Sequence, residues 1–535
     1  MKSLQRILLL LLLGIALPTY AQDYEEFMRN ASNELKAFQN QAQTAYNTFH
    51  NSAREEYEAF RNQANKEYAD FMRQSWDRFD TSDAKPIPVS PEPPRPVVRD
   101  PNAPKPTLPE PLVAPAPMPT PTPEAKTAPK PEVKPAPKPE VKSESKSEAK
   151  PAPKPAPAPA PAPAPKPASV SKPRAQFTFD YYGTKCVVSL GSEHRFTLSA
   201  VNNGAIADAW EVMSSERFYA VADEMEMLRQ KLQLCDWGYV KLTECATKAF
   251  FGAKSTNEAR LMQIFFLTQS GFKVRIGYAD NRLLLMMPST LDIPRYSYIA
   301  LEGSNYYILN RDHKGGGVYL YDREFPNERS CSMSVTRSPL LTDKNTSNRR
   351  LSSKKFPNIV AEVAVNSNLI DFYSDFPVLN DWDMYVNAPI NKNTGTQFYK
   401  QLQKGLAGVT SKYKAADMLL NFVQTAFDYK TDGEQFGNEK PFFPEEMLYY
   451  PYSDCEDRAI LYAALVRDLL GLDVVLLHYP NHLATAVCFN EDVVGSYIMH
   501  NGKRYFVCDP TYIGASVGEA MPNLDNSRIE IVEID

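Results

Sequence analysis

The chain has 535 residues, a formal net charge of −5 and a pI near 5.9. This balance excludes a global attraction to nucleic acid or to anionic lipid, so binding either would need a local basic patch. Of its 45 prolines, 31 lie between residues 86 and 173, and no packed core can be built from that stretch. The folded part is therefore expected at the two ends.

Lys2 and Arg6 precede an 11-residue apolar run at 7–17 and the small-residue site Thr19-Tyr20-Ala21, which is the pattern of a secretory signal peptide over residues 1–21. A membrane anchor would need about 20 apolar residues. The expectation is a mature chain starting at Gln22, with no transmembrane anchor after cleavage and a periplasmic or secreted destination where disulfides are permitted. Seven cysteines (186, 235, 245, 331, 455, 488 and 508) leave one over if the others pair, and the leftover is a candidate free thiol.

Residues 22–80 carry an 11-residue period. Phe27, Phe38, Phe49, Phe60 and Phe71 recur at that spacing, with Tyr24, Leu35, Tyr46, Tyr57, Tyr68 and Phe79 three residues before and Ala31, Ala42, Ala53 and Ala64 four after. Such a repeat keeps an apolar stripe on a partner when helices wind with a right-handed supercoil. It predicts one long coiled-coil helix that self-associates or pairs with a partner helix; a solitary amphipathic helix docked on the folded part is the alternative. Residues 81–174, with runs such as "KPAPAPAPAPAPKP", read as a disordered Pro/Ala/Lys-rich linker of polyproline II character.

The remaining residues, 175–535, are too many for one modest core and suggest two units, 175–345 and 398–535, joined by a β-rich segment at 346–397. The C-terminal unit carries the chemistry. A helix is expected at 414–430, then the loop "GNEKPFFPEEMLYYPY", then "SDCEDRAILYAAL" (453–465). Ser453 and Glu456 have the spacing of a capping box, which would place Cys455 in the first turn of a buried helix. There the unpaired N–H groups and the helix dipole favour a thiolate. Strands are expected at 473–479, 482–489 and 503–512. A buried helix presenting Cys455, a strand opening with His482 and a neighbouring strand delivering Asp509 form the layout of a thiol acyl-transfer triad, with His482 as base and Asp509 holding the imidazole. Glu456 and Asp457 are read as helix-end complements rather than as acid–base groups. By strand parity Cys488 and Cys508 face opposite ways and do not pair.

Asp454-Cys455-Glu456-Asp457, "NHLATAV" around His482 and "CDPTY" around Asp509, with both triad spacings equal to 27 residues, resemble the transglutaminase-like superfamily of papain-like cysteine enzymes over roughly residues 398–520. The resemblance implies an α+β fold, a papain-like/transglutaminase-like head and a Cys455-His482-Asp509 triad. That triad would hydrolyse peptide or isopeptide bonds of a protein substrate in the cell envelope, or transfer the acyl group to an amine. No cofactor and no metal are expected, and Gln435 is the candidate for stabilising the oxyanion. A non-catalytic envelope scaffold is the reading from a different class.

The upstream unit repeats the pattern. "STNEARLMQIFFL" (255–267) aligns with "SDCEDRAILYAAL", "GFKVRIGYADNR" (271–282) with "GLDVVLLHYPNH", and "SYIALEGSNYYILN" (297–310) with "SYIMHNGKRYFVCD", at offsets of 198, 200 and 199. Cys455, His482 and Asp509 then correspond to Asn257, Arg282 and Asn310. The expectation is an internal duplication, a tandem of a degenerate and an active copy, whose first member could bind or orient a substrate but not cleave it, because Asn and Arg supply neither a nucleophile nor a titrating base; a chance match of two generic helix-strand-strand segments is the alternative.

Overall fold

The computed structural model describes residues 21–113 except 75, 87–92 and 94, and residues 175–534 except 312 and 314. The expected signal peptide, apart from its last residue, and the stretch 114–174 lie outside the described residues. In chain order the helices are α1 (Ala21–Met72), α2 (Asn203–Met213), α3 (Glu216–Lys231), α4 (Asp236–Phe251), α5 (Thr256–Gln269), α6 (Ser367–Ser374), α7 (Trp382–Asn387), α8 (Lys392–Gly405), α9 (Lys412–Ala426), α10 (Asp432–Phe436), α11 (Pro444–Tyr449) and α12 (Cys455–Leu465). They pack around two six-stranded sheets, so the architecture is mixed α and β. No helix among the described residues is long and apolar enough to cross a membrane.

The first sheet has the order β1-β9-β5-β6-β8-β7, with β1 (Asp77–Asp80), β5 (Arg275–Ala279), β6 (Arg282–Pro288), β7 (Tyr298–Leu301), β8 (Ser304–Ile308) and β9 (Gly317–Leu320). The second has the order β18-β14-β15-β17-β16-β2, with β2 (Pro109–Pro111), β14 (Val474–Tyr479), β15 (His482–Cys488), β16 (Gly495–His500), β17 (Lys503–Cys508) and β18 (Glu530–Glu533). Between them, β3 (Phe177–Tyr181) pairs with β4 (Thr184–Val188), β10 (Arg349–Ser352) with β11 (Val360–Val363), and β12 (Asp428–Tyr429) with β13 (Tyr452–Ser453).

The two large sheets share their register. Ala279 faces Arg282 across the β5–β6 hairpin as Tyr479 faces His482 across β14–β15. Met286 pairs with Ile308 as Ala486 does with Val507, and Tyr298 pairs with Tyr307 as Tyr497 does with Phe506. These are the positions that the offsets 200 and 199 bring together. The β5–β6 turn has Asp280 and Asn281 at φ 49° and 58°, the left-handed pair that a two-residue hairpin requires. The outer face of each sheet is closed by its own small apolar cluster at matching positions, Ala279, Leu284, Met286 and Ile308 on one and Tyr479, Ala484, Ala486 and Val507 on the other.

The inner faces do not form two separate cores. One continuous cluster runs from Tyr68 through Trp210, Phe265 and Phe372 to Leu461, Phe506 and Val517. The division into two units thus holds for the sheets but not for the interior, because α6, α7 and the preceding hairpin fill the space between the lobes with apolar side chains. The connecting segment is correspondingly less β-rich than expected: after β11 it continues as α6 and α7, and α8 begins at Lys392, ahead of the expected boundary at 398. Pro444–Tyr449 within the expected aromatic loop is helical.

α1 ends at Met72, short of residue 80. Phe79, the last member of the 11-residue series, lies in β1 opposite Val318 and packs against the outer apolar cluster. The last turns of α1 are part of the head, with Ala64, Tyr68, Ala69 and Met72 buried, whereas Leu35, Phe38, Phe49, Tyr57 and Phe60 are exposed. Asn65 anchors this docking. Its Oδ1 accepts from Trp210 Nε1 and Gln269 Nε2, both at 3.0 Å, and its Nδ2 donates to Tyr219 Oη at 3.1 Å.

Part of the expected linker is also fastened down. Ser82 bridges to Tyr298 and Lys85 pairs with Asp292 on the first lobe. Val98 bridges to Ile513, Arg99 forms an ion pair with Glu519 with both side chains over nine-tenths buried, and β2 adds a parallel strand to β16 on the second lobe. All seven cysteines are free; Cys508 packs into the continuous core while Cys488 lies against the outer cluster of the second sheet.

Removing the Asn65 amide leaves the buried Trp210 indole N–H and the half-buried Gln269 amide without that acceptor, at a cost of about 1–3 kcal/mol for a buried unsatisfied group and less for the half-buried one. Asn65→Ala should therefore lower the unfolding free energy by about 3 kcal/mol, as a shift of the urea midpoint at unchanged slope. A loss below about 0.5 kcal/mol would show that α1 is not held to the head by this network.

Candidate active site

All eleven residues of α12 are buried, so its first turn must be satisfied by protein. The cap sits one residue later than the Ser453/Glu456 spacing suggested. Asp454 is the N-cap residue, and its backbone N–H donates to Asp457 Oδ2 at 3.3 Å. Ser453 lies in β13, where its Oγ accepts from Arg458 Nε at 3.2 Å. The correction has a simple cause: the parallel pairing of Tyr429 with Ser453 keeps Ser453 extended.

His482 opens β15, and its Nε2 lies 2.9 Å from Asp509 Oδ2, with both side chains buried. The other carboxylate oxygen of Asp509 accepts from the backbone N–H groups of Thr511 at 2.8 Å and Tyr512 at 3.3 Å. Gln424 of α9 holds the same turn: its Nε2 donates to the carbonyls of Asp509, Tyr512 and Ala515, and its Oε1 accepts from Gly514 N–H. Sequence reasoning missed Gln424; nothing in a helical run marks a glutamine as the fastener of a loop 85 residues downstream.

Cys455 is 3% exposed. Its thiol donates to Glu456 Oε2 at 3.1 Å, and the backbone N–H of Leu483, the residue after His482, approaches its sulfur. His482 Nδ1 is buried without a hydrogen-bond partner. The three expected residues are thus gathered at the start of β15, with the His482–Asp509 link made and no hydrogen bond between Cys455 and His482. The expected thiolate is reversed in this arrangement. Burial, then the carboxylates of Glu456 and Asp454, push the thiol well above its usual range, against the smaller opposing effect of the Leu483 N–H.

Gln435 lies on α10, its Oε1 buried without a partner. Among the described residues no hydrogen bond ties it to Cys455, His482 or Asp509. His478 and His500, outside the triad pattern, lie beside Glu530 and Glu533 near the surface. Asn257 heads α5 and Arg282 opens β6, in the places that Cys455 and His482 take in the second sheet. Asn257 Oδ1 accepts from Leu283 N–H at 2.9 Å, the counterpart of the Leu483 N–H beside Cys455. Asn310 follows β8 and bonds with Leu285 N–H and the Leu283 carbonyl.

The unexpected feature is a nest of carboxylates around the start of α12. Asp432 N–H donates to Asp454 Oδ2 at 3.0 Å, Lys440 N–H to Asp432 Oδ2 at 2.5 Å and Phe442 N–H to Asp457 Oδ1 at 2.9 Å. Asp432, Asp454 and Asp457 thereby fold residues 432–442 around the helix end, which for Asp457 is a larger task than the helix-end complement expected of it. Burial, followed by the neighbouring carboxylates, raises Asp432 to about 9 and Glu456 to about 8, and lifts Asp454 and Asp457 well above the usual range. Arg458, buried with its Nη1 unpartnered, is pulled downward by the same burial. Asp432, Glu439 and Glu456, and likewise Asp432, Asp454 and Asp457, each bring an oxygen within 4.8 Å of the others, an all-oxygen set of the kind that could hold a hard divalent cation. Protons neutralise the same charge.

Comparison with family models, with curated proteins and with solved structures gives no match to this chain.

An unfolded carboxyl titrates near about 4, whereas Asp432 and Glu456 keep their protons in the folded state to about 9 and about 8. Between these limits the native state binds more protons than the unfolded state, so stability is full below about pH 4 and falls as pH rises through the folded values. In buffer freed of metals by a chelator, the thermal midpoint should drop by about 5 °C or more between pH 5 and pH 9, and Asp432→Asn should flatten the slope. A midpoint that is constant or rises over this interval in the wild type would show that the acids are ionised in the fold.

Proposed function

We propose that this chain is an exported thiol-dependent acyl-transfer enzyme of the transglutaminase-like type, most simply a peptidase or amidase acting on peptide or isopeptide bonds in the cell envelope. The observation that carries the reading is the His482 Nε2 to Asp509 Oδ2 bond of 2.9 Å beside a cysteine at the head of a buried helix. With Nε2–H committed to Asp509, the lone pair of His482 belongs to Nδ1, the nitrogen without a partner, and Asp509 thereby selects the tautomer that can act as a base.

Because burial and carboxylates raise the thiol, Cys455 starts as S–H, and His482 takes the proton as sulfur attacks. This requires Cys455 to leave Glu456 and turn to Nδ1. The S–C bond forms and the C–N bond breaks, the leaving amine collecting the proton from His482. Water then adds to the thioester, its proton passing to His482 and on to the departing sulfur, so that the carboxylic acid is released and the thiol restored. An amine in place of water gives transamidation, the second outcome of the same chemistry. The signal-peptide pattern at 1–21 supports a periplasmic or secreted location, and the exposed part of the 11-residue stripe on α1 supports coiled-coil self-association. A head that only binds envelope proteins is favoured by one observation, the burial of all three triad side chains.

Cys455→Ala or His482→Ala should abolish product formation from an envelope-protein digest, and Asp509→Asn should lower kcat by about 10²-fold or more, read by product mass with and without added amine. In parallel, iodoacetamide alkylation of Cys455 followed by peptide mass spectrometry from pH 4 to 10 should slow in His482→Ala. Turnover unaffected by these changes, together with an alkylation rate indifferent to His482, would sink the enzyme reading in favour of the binding head.

A further inference from the structure

The free part of the apolar stripe on α1 has no cover within one copy of the chain. Leu35, Phe38, Phe49, Tyr57 and Phe60 are 47–73% exposed, and a row of large apolar side chains along one side of a helix is a face that another helix covers. We propose that the occupant is a second copy of α1, running antiparallel and centred on Ala42, so that the two heads lie at opposite ends of a two-helix rod. This dimer rests on the reading of α1 as a self-associating coiled coil and is independent of the enzyme chemistry.

The stripe is complementary to itself. Its spacing of 3, 4 and 4 residues reads the same in both directions from each alanine of the series. Reversed about Ala42, the series falls on itself: Tyr24 on Phe60, Phe27 on Tyr57, Ala31 on Ala53, Leu35 on Phe49 and Phe38 on Tyr46. Two antiparallel copies thus meet every apolar position from 24 to 60 with another apolar position, and the 11-residue period keeps the seam closed along its length. A parallel pair in register matches the same positions, and the head decides between the two directions.

After Phe60 the next members of the series are Ala64, Tyr68 and Phe71, and these are already taken. Ala64 and Tyr68 are buried against the head and Phe71 packs on its core. The Tyr68 ring lies 5.1 Å from that of Trp210 and 5.8 Å from that of Phe325, between centroids, and Arg61 and Asn65 on the same turns bond to Gln269. A parallel partner in register would bring its own residues 64–71 along this side of the helix, into volume that the head fills. An antiparallel partner ends there, its position 24 opposite Phe60. The head fixes the centre as well. Reversal about Ala53 would set the partner's Phe38 on Tyr68, inside the head interface, and reversal about Ala31 would leave Phe49, Tyr57 and Phe60 uncovered. At 1.5 Å per residue the seam from 24 to 60 is about 55 Å long, which holds the two heads apart.

The test uses the full chain with p-benzoylphenylalanine in place of Phe49, photolysed at about 50 µM, where association with a micromolar constant is nearly complete, then digested with trypsin and read by mass spectrometry. The expected product joins the tryptic peptide 37–54 to the peptide 30–36, which contains Leu35. Within one helix positions 35 and 49 are about 21 Å apart, too far for the label to bridge, so this product reports a second chain. Sedimentation equilibrium of the wild type should give the mass of two chains. Phe49→Lys, at a side chain 73% exposed so that the fold is spared, should weaken the dimer at least tenfold without moving the thermal midpoint. A two-chain species whose cross-links join only peptide 37–54 to a second copy of itself would overturn the antiparallel arrangement while self-association stands. A single-chain mass at this concentration would overturn both. Three or more chains, or a dimer indifferent to Phe49→Lys, would overturn the proposed seam.

Discussion

Carboxylates buried at the start of a wholly buried helix must find hydrogen-bond donors, and much of the second lobe follows from how the acids at the head of α12 meet that demand. They accept from the backbone N–H groups of Asp432, Lys440 and Phe442 in the segment packed over the helix end, and at the N-cap from that of Asp454. Each acid is useful as an acceptor and costly as an ion, since an unpaired buried charge carries a penalty of several kcal/mol. The cluster therefore holds protons, or a cation, well into the range where free carboxyls are ionised, and the thiol in its midst is governed by the same balance. Helix dipole and sulfur, often treated as a pair, are here separated by acids stronger in effect than the dipole.

The two lobes show what the scaffold requires and what it leaves free. Strand order, hairpin register and the small cluster on each outer face recur at near-constant offset, because these determine how a twisted antiparallel sheet closes against a helix. The positions at the helix head, the strand opening and the strand end bear little of that load. Asn257 accepts from the N–H of Leu283, the counterpart of the Leu483 N–H that approaches Cys455, so a side chain without catalytic capacity fills the place with no loss of local satisfaction.

Much of this was legible in the sequence where the signal was local or periodic. The strand opening at His482, the buried helix with Cys455 in its first turn, and the correspondence of Asn257, Arg282 and Asn310 with the triad positions could all be read from hydrophobic patterning and spacing. What could not be read depends on partners distant along the chain. The spacing of Ser453 and Glu456 fits a capping box, yet pairing with Tyr429 takes Ser453 out of the helix. Phe79 keeps the 11-residue period but is claimed by a sheet edge. The acids at 432, 454, 456 and 457 look like ordinary helix-end residues until the loop folds over them, and the docking of 95–113 rests on backbone pairing that a proline-rich composition conceals.

That docking changes the connectivity of the molecule. β1 and the end of α1 join the first lobe, β2 joins the edge of the second, and β3 returns to the packed interior. The chain up to residue 113 is thus tied to the head by two strand pairings and a docked helix end, so its attachment does not rest on covalent continuity alone.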